Sequence, residues 1–472
     1  MRISKRSEVK EMKNREGVVG LETKLFSPRN MVSRKVGSNR YLLLDPDRPF
    51  WMSVNKRGKE ILELCNGGRK LATVARILSE RNGDGYEDVA KSILPFVRQV
   101  HSKGFLSESP FEPPRPLDRD GSGLKELWVH ITNFCNLRCI HCHVTAGVPL
   151  KDELCPEEFF RVIDSFANLG GKRLVFTGGE PLARRVCLDA IEYAHKNGIK
   201  NLDLITNGIL ITNEIARRLR DACCNVQLSL DGAKRETNDK IRGMGSYHRA
   251  ITGLKKLLNA GVNTRLAMTV MKTNMGEIIE IAELSRSFGL KVVHFPFLQM
   301  KGRAKTNGEN LALSYQDYMT AWETIARIPK EVGIKVSFEE SFEMSIKRAW
   351  KRDLCGAGCG MLSLASNGDV YPCAGLHEDE FRAGNVRDSS LEEIHRCSSA
   401  LKEIATNSVL RIPKCSGCEL KFLCGGGCHV DTYFAYGRLD RATPRCQIMK
   451  AIYWKALKEV AQAKTSEERG GD

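Results

Sequence analysis

The chain has 472 residues, of which 42% are hydrophobic and 28% charged, and its formal net charge is +16. This length predicts two or three domains, and the positive charge suits an acidic partner such as a nucleic acid, an anionic lipid or an acidic peptide. The chain starts with charged residues and lacks a long apolar run, so we expect neither a signal peptide nor a membrane partner, and a cytoplasmic location. In that compartment the 17 cysteines indicate metal clusters rather than disulfides.

The first 33 residues are polar and basic with little periodicity, which predicts a loosely ordered basic tail. The positive charge is concentrated near the start of the chain, because residues 1–110 hold 22 Lys and Arg against 13 Asp and Glu. This part of the chain is therefore suited to an acidic ligand.

Residues 34–108 have the pattern of a small domain. The strand-like runs Tyr41–Leu44 and Phe50–Val54 precede three helical patterns that lie between Ile61 and Val100. This arrangement resembles a winged-helix domain of the PqqD-like kind, the recognition element for ribosomally made and modified peptides. In that family an exposed strand pairs with the leader of a precursor peptide, which is β-augmentation. A DNA-binding winged helix and a purely structural cap are the alternatives.

A proline-rich linker is predicted at residues 109–123, which places a domain boundary there. Residues 124–335 then alternate strand and helix, which predicts an α/β fold with a parallel sheet of six βα units, a partial (β/α)6 barrel. In such folds the chemistry lies in the loops after the strands. The predicted strands are Leu127–Thr132, Arg173–Thr177, Asn201–Ile205, Asn225–Leu230, Thr264–Met271 and Lys291–Leu298.

The loop after the first predicted strand carries a cysteine triplet, Cys135, Cys139 and Cys142, spaced C-x3-C-x2-C. Thiolates are the usual ligands of iron–sulfur clusters, and a cubane cluster needs four. Three thiolates predict a [4Fe–4S] cluster with one iron open to an outside ligand, which is the arrangement of a catalytic metal site. A redox CxxC pair and a zinc knuckle are the alternatives.

The loop after the second predicted strand reads Gly178-Gly179-Glu180-Pro181. With the cysteine triplet upstream, this resembles a radical S-adenosylmethionine (SAM) enzyme. The resemblance implies that the cluster cleaves SAM to a 5′-deoxyadenosyl radical, with the triplet as the catalytic cysteines. It also implies that Gly178, Gly179 and Glu180 bind the methionyl amine, where the alternative is a simple tight turn.

Four later residues are further candidates for SAM contacts by the same resemblance. Ser229 and Asp231 hold positions where relatives contact the ribose and the methionine carboxylate, and Arg242 is suited to pair with that carboxylate. Leu298 is a candidate apolar wall for adenine. The alternatives are a structural turn, a surface charge and a core leucine. Asn207 is a candidate either for SAM binding or for ordering the substrate.

Residues 336–450 hold a second group of cysteines that resembles a SPASM domain, followed by a predicted C-terminal helix or tail at 451–472. The resemblance implies two auxiliary [4Fe–4S] clusters, although the usual seven-cysteine pattern does not require Cys359. A structural zinc ribbon is the alternative. The implied first auxiliary set is Cys355, Cys359, Cys373 and Cys428, and the implied second auxiliary set is Cys415, Cys418, Cys424 and Cys446.

The leading functional hypothesis is a radical SAM enzyme that oxidatively modifies a ribosomally made precursor peptide, by a thioether or other cross-link. Its electron donor is expected to be a ferredoxin or a flavodoxin. Alternatives are modification of a tetrapyrrole of the haem pathway or another cofactor, maturation of a partner enzyme, and an electron carrier. A nucleic acid is not the expected partner, and the positive charge is the one feature that keeps a nucleic-acid-modifying enzyme among the alternatives. Sulfatase-maturing relatives carry an aspartate where Ala374 stands here, which argues against formylglycine formation.

Overall fold

The structure is a computed structural model that describes residues 19–116, 123–337, 353 and 355–467. These residues form a two-stranded, a three-stranded and a ten-stranded sheet. No helix in these ranges is long and apolar enough to cross a membrane.

The strands are β1 Lys24–Phe26, β2 Val32–Lys35, β3 Arg40–Asp45, β4 Phe50–Asn55, β5 Asn66–Lys70, β6 Glu126–His130, β7 Arg173–Thr177, β8 Asn201–Thr206, β9 Asn225–Ser229, β10 Thr264–Ala267, β11 Val292–His294, β12 Lys335–Ser337, β13 Met361–Leu364, β14 Asp369–Tyr371 and β15 Gly384–Asn385. The α-helices are Lys56–Leu64, Leu71–Asn82, Tyr86–Ser102, Pro156–Asn168, Val186–Lys196, Asn213–Asp221, Arg235–Arg242, Ser246–Asn259, Ile278–Ser287, Arg303–Thr306, Tyr315–Glu331, Leu391–Cys397, Ser399–Thr406, Pro413–Ser416, Lys421–Cys424, His429–Tyr436 and Cys446–Glu467.

The N-terminal domain has the three predicted helices, and β3 and β4 are its two predicted strands. Strands β2, β3 and β4 form an antiparallel sheet, and Leu43 of β3 packs with the helices in a core of the domain's own. The prediction of a loosely ordered tail is wrong for residues 19–33, because β1 pairs with β5 and buries Leu25. The first 18 residues, to which that prediction also applied, lie outside the described part of the chain.

The parallel sheet contains the six predicted strands as β6–β11, followed by β12, in sequence order across the sheet. Helices connect each strand to the next, and their apolar faces cover one side of the sheet. Strand β7 has the predicted bounds, whereas β10 and β11 are shorter than predicted. Their remaining apolar residues, such as Met271 and Leu298, lie in the loops beyond the strand ends and are buried there. Burial in these loops explains why a strand-like pattern continued past the strands.

The C-terminal region extends the barrel sheet. Strand β13 pairs in parallel with β6, and β14 and β15 follow in antiparallel pairs. Strands β13 and β14 are joined by a tight turn, in which Gly368 has a φ of +92°. The predicted boundary after residue 450 is wrong, because the helix Cys446–Glu467 runs across it. Residues 338–352 and 354, and residues 117–122 of the predicted linker, lie outside the described ranges.

The N-terminal domain packs against the cysteine-rich region through β2 and the β3–β4 turn. Arg34 of β2 pairs with Glu419 and lies over the ring of Trp454, with 3.6 Å between the guanidinium carbon and the ring centroid. Lys421 is buried and pairs with Asp47 at 2.7 Å. These contacts fix the orientation of the domain against the segment that carries the second auxiliary set.

Candidate active site

A central cavity of about 510 Å³ lies at the carboxyl ends of the parallel strands. Thr177, Thr206, Ser229 and His294, the last residues of four strands, line it. The whole cysteine triplet also lines it. The cavity is therefore where the partial-barrel prediction placed the chemistry.

The loop that carries the cysteine triplet is held by Arg303, which follows the last barrel strand. The Arg303 guanidinium donates to the backbone oxygens of Cys139 and Ala146, each at 2.8 Å. Gly302 has a φ of +58°, and a Cβ there would lie 2.6 Å from the oxygen of Cys142. The sequence analysis did not identify Arg303 as a residue that holds this loop.

The three thiols of the triplet suit an iron–sulfur cluster. They line one cavity on a single loop, and a cluster binds each cysteine through a separate iron. Burial raises the pKa of Cys139 to about 11, so the metal must displace a proton when it binds.

Gly178 and Gly179 allow two loops to touch. A Cβ on Gly178 would lie 2.4 Å from the oxygen of Thr132, and one on Gly179 would lie 2.1 Å from the oxygen of Phe134. The N–H groups of Gly179 and Glu180 donate to these same two oxygens, each at 2.7 Å. The loop after β7 thus packs directly on the loop of the cysteine triplet, and both glycines also line the central cavity.

We expect Gly179→Ala to destabilise the site, because its methyl group would collide with backbone rather than with a movable side chain. The expected loss of unfolding free energy is about 1–3 kcal/mol. Chemical denaturation of the cluster-free protein measures it. Gly276→Ala is the matched control, since a Cβ at Gly276 meets nothing within 4 Å. Equal midpoints for the two variants would contradict the close packing described.

Glu180 is fully buried and is not among the residues that line the central cavity. Its carboxylate accepts hydrogen bonds from the Thr206 hydroxyl at 2.7 Å and from the Asn207 and Leu182 N–H groups at 2.9 and 3.1 Å. Burial raises its pKa, and these donors oppose that rise. The carboxylate ties the β7 loop to the end of β8. Its predicted contact with the methionyl amine stays a prediction.

Arg242 and Asp231 form a buried ion pair, with 2.7 Å between Arg242 Nε and Asp231 Oδ2. His141 Nε2 lies 3.3 Å from the same oxygen. Asp231 Oδ1 accepts from the Thr269 N–H at 2.8 Å. Arg242 and His141 line the central cavity, whereas Asp231 lies behind them. The geometry thus gives Asp231 the role of orienting Arg242, and its direct contact with SAM stays a prediction.

The other predicted SAM contacts, Asn207, Ser229 and Leu298, all line the central cavity. The Asn207 side chain donates to Asn136 Oδ1 at 2.7 Å, which links the β8 loop to the loop of the cysteine triplet. Leu298 also packs in an apolar cluster with Met271. The two interpretations of this leucine, cavity wall and core residue, are therefore compatible.

Three cysteines of each implied auxiliary set lie near one another, and the division into two ligand sets stays a prediction. Burial raises the pKa of Cys373 and of Cys428; Cys355 lies close enough to add to the rise in both, and Cys373 adds to the rise in Cys428. Cys418 and Cys446 act in the same way on the buried Cys415. Mutual proximity of this kind is expected of thiols that share a cluster.

The first auxiliary set lies beside the cysteine triplet, because Cys355, Cys373 and Cys428 line the same central cavity. Cys359 is buried outside the lining, with its sulfur 3.6 Å from the oxygen of Gly356, and its ligand role stays a prediction. Cys424 of the second set also lines the cavity.

His429 was missed by sequence reasoning. Its Nδ1 lies 3.2 Å from the sulfur of Cys355, and its position next to Cys428 was the available signal.

Three family models match the chain in order. They are coenzyme PQQ synthesis protein D (PqqD) at residues 40–106, the radical SAM superfamily at 129–285, and an iron–sulfur cluster-binding domain, SPASM, at 355–419. Each match falls within the region where the corresponding domain was predicted.

Curated relatives match over most of their length. An AdoMet-dependent heme synthase from Methanosarcina barkeri is 31% identical over 67% of this chain and 94% of its own. A mycofactocin maturase, MftC, from Mycobacterium ulcerans is 29% identical over 71% of this chain and 91% of its own.

Two solved structures share the fold. The enzyme anSMEcpe with bound AdoMet has a TM-score of 0.59 at 21% identity, covering 72% of this chain and 99% of its own. SuiB from Streptococcus suis, bound to its precursor peptide SuiA, has a TM-score of 0.59 at 15% identity, covering 90% of this chain and 100% of its own.

The domain order, the cysteine triplet at the strand ends and the relatives agree with one another. Members of this family bind a [4Fe–4S] cluster and SAM, and the SPASM domain binds auxiliary iron–sulfur clusters. The chain therefore belongs to the radical SAM superfamily, as an enzyme with a PqqD-like domain before its barrel and a SPASM domain after it.

Proposed function

We propose that the chain oxidatively modifies a ribosomally made precursor peptide, forming a thioether or other cross-link. The N-terminal domain binds the leader while the barrel acts on the core of the same peptide. Such tethering raises the concentration of the core at the central cavity. The observation that carries this proposal is the open edge of β4 in the PqqD-like domain.

Strand β4 is the edge of this sheet that is available to a peptide. In the described part of the chain β4 pairs with β3 alone, so its other side can accept a further strand. The opposite edge, β2, is covered, because Arg34 contacts Glu419 and Trp454 of the C-terminal region. Phe50, at the start of β4, is exposed and offers an apolar contact to a peptide.

Two relatives support a peptide substrate. The mycofactocin maturase is a maturase by name. SuiB was solved with its precursor peptide bound, and the structural match extends over the whole SuiB chain. Ala374 lines the central cavity, at the position where sulfatase-maturing relatives carry an acidic base, which favours an outcome other than formylglycine.

The chain's own residues have defined parts in this proposal. The cysteine triplet would hold the [4Fe–4S] cluster, which together with SAM would supply a 5′-deoxyadenosyl radical. Arg242 and Ser229 would face SAM, while Arg303 and Asn207 hold the loop of the cysteine triplet. The two auxiliary sets provide ligands for two further clusters suited to carrying electrons. We place the reaction in the cytoplasm, with a ferredoxin or flavodoxin as the electron donor.

A second candidate is modification of a tetrapyrrole, which the 31% identity to an AdoMet-dependent heme synthase favours. In that case the N-terminal domain would act as a cap. Binding of a porphyrin to the full chain, with no displacement of the porphyrin by a precursor peptide, would support this candidate.

Photo-cross-linking tests the proposed leader site. A benzophenone amino acid at Phe50 is expected to cross-link to the precursor peptide encoded beside the gene, because the leader would lie along β4. The same amino acid at Tyr315, a similarly exposed aromatic residue on a barrel helix, is the matched control and should give no adduct. Mass spectrometry identifies the product. Equal cross-linking at both positions, or none at Phe50, would contradict the proposal.

A further inference from the structure

A group of basic side chains surrounds the second auxiliary set. This basic surface consists of Arg411, Lys414, Arg441 and Lys450. Lys414 directly precedes Cys415, and Lys450 lies about one helical turn after Cys446 in the helix Cys446–Glu467. Arg411 directly precedes Ile412, which packs with Cys415 in one apolar cluster. Arg441 adjoins Ala442, which packs with Cys415 in one apolar cluster. Arg411, Lys414 and Arg441 are exposed, and Lys450 is half-buried.

In the described ranges, none of the four side chains of the basic surface forms an ion pair. Asp440, the neighbour of Arg441 in the chain, pairs with Arg438, and Glu419, next to Cys418, pairs with Arg34.

The second auxiliary set is also placed differently from the first. Cys355, Cys373 and Cys428 of the first set line the central cavity, whereas in the second set Cys424 lines it and Cys415, Cys418 and Cys446 do not. Gly417, between Cys415 and Cys418, is exposed. The second set therefore lies between the cavity side of the SPASM domain and the basic surface, where an outside protein can approach it.

We propose that the basic surface is the docking site for an acidic one-electron carrier protein of the flavodoxin class. The inference rests on the proposed function, because it assigns a role to the second auxiliary set in that reaction. On docking, the carrier's flavin hydroquinone loses one electron and one proton to become the semiquinone, the chain gains the electron, and the proton goes to solvent. Complementary charge speeds such an encounter and makes it sensitive to salt.

Direct binding is the first test. A purified flavodoxin is titrated into the full chain by isothermal titration calorimetry at two salt concentrations. The double variant Arg411→Glu with Lys414→Glu is expected to weaken binding at least tenfold at low salt and to flatten the salt dependence. The matched control, Arg217→Glu with Lys255→Glu, reverses two exposed charges on barrel helices and should bind as the wild type does.

Rates provide the second test. Release of 5′-deoxyadenosine is measured with reduced flavodoxin and, separately, with dithionite, which needs no docking site. The ratio of the flavodoxin-driven rate to the dithionite-driven rate is expected to fall about tenfold in the double variant and to stay constant in the control. An equal ratio and an equal Kd in wild type and double variant would overturn the proposal. The double variant could instead bind flavodoxin normally but lose binding of the leader peptide or of a nucleic acid. That result would overturn the proposal and assign the basic surface to the ligand that was lost.

The two proposals fail in different ways. If the wild type cleaves no SAM with either reductant, the proposed function fails, while the calorimetric comparison still tests the basic surface. Dithionite can support cleavage while flavodoxin binds the Arg411→Glu, Lys414→Glu variant as tightly as the control variant. In that case only the proposed docking site fails.

Discussion

Cys139→Ala is expected to abolish the release of 5′-deoxyadenosine and to remove about four of about twelve iron ions per chain. The reason is that a cluster held by three cysteines has no spare protein ligand. Cys139 lines the central cavity, and its backbone is fixed by Arg303, so no neighbouring thiol can take its place without moving the loop. Iron analysis and chromatography of the reaction with SAM and dithionite measure the two effects.

Cys397→Ala is the control for that experiment, because Cys397 is exposed and matches no cluster spacing. It should keep the full iron content and the full rate. A Cys139→Ala variant that retained all its iron would contradict the assignment of the triplet. A total near four iron ions in the wild type would instead contradict the two auxiliary sets.

Arg242→Met is expected to destabilise the cluster-free protein by about 3–5 kcal/mol, because it leaves the fully buried Asp231 carboxylate without its ion-pair partner. Burial lowers the pKa of the Arg242 guanidinium, but the Asp231 carboxylate raises it by more, so the pKa of Arg242 is raised overall. His141 lies 3.3 Å from the same oxygen, and burial lowers its pKa, so it is a poor substitute cation. Denaturant midpoints, converted with the measured slope, give the change in free energy.

The double variant Arg242→Met with Asp231→Asn separates the pair from general packing. It should recover most of the stability lost by Arg242→Met, because no buried charge then remains unpaired. Arg217→Met, at an exposed helix position, should leave the midpoint unchanged. A double variant as unstable as Arg242→Met alone would show that the loss comes from packing and that the ion pair contributes little.

Local patterns predicted much of the barrel, because the periodicity of a strand or a helix is set by residues that are close together in the sequence. The strand–helix alternation gave six of the strands, and the loops after them carry the cysteine triplet and the two glycines of Gly178-Gly179 at one end of the sheet. The two auxiliary sets came from the resemblance to a SPASM domain, and their ligand assignment stays a prediction.

Contacts between distant residues were beyond the reach of those patterns. The parallel pairing of β13 with β6 joins residues 361–364 to 126–129, and no local periodicity encodes such a partner. The apolar residues of 19–33 were too few to predict a strand, yet β1 forms because β5 supplies its hydrogen bonds.

By itself the sequence determined which chemistry the chain carries, because the ligands of a cluster and the glycines of a tight loop are chosen by residue type and spacing. Only the tertiary structure decided how the other site residues are used. Glu180 and Asp231 look like equal candidates for SAM contacts in sequence, but the fold buries both behind the cavity wall, where they hold Asn207 and Arg242. The physical reason is burial, since a buried carboxylate takes the nearest donors, and which donors are nearest depends on loops that meet only in the folded chain.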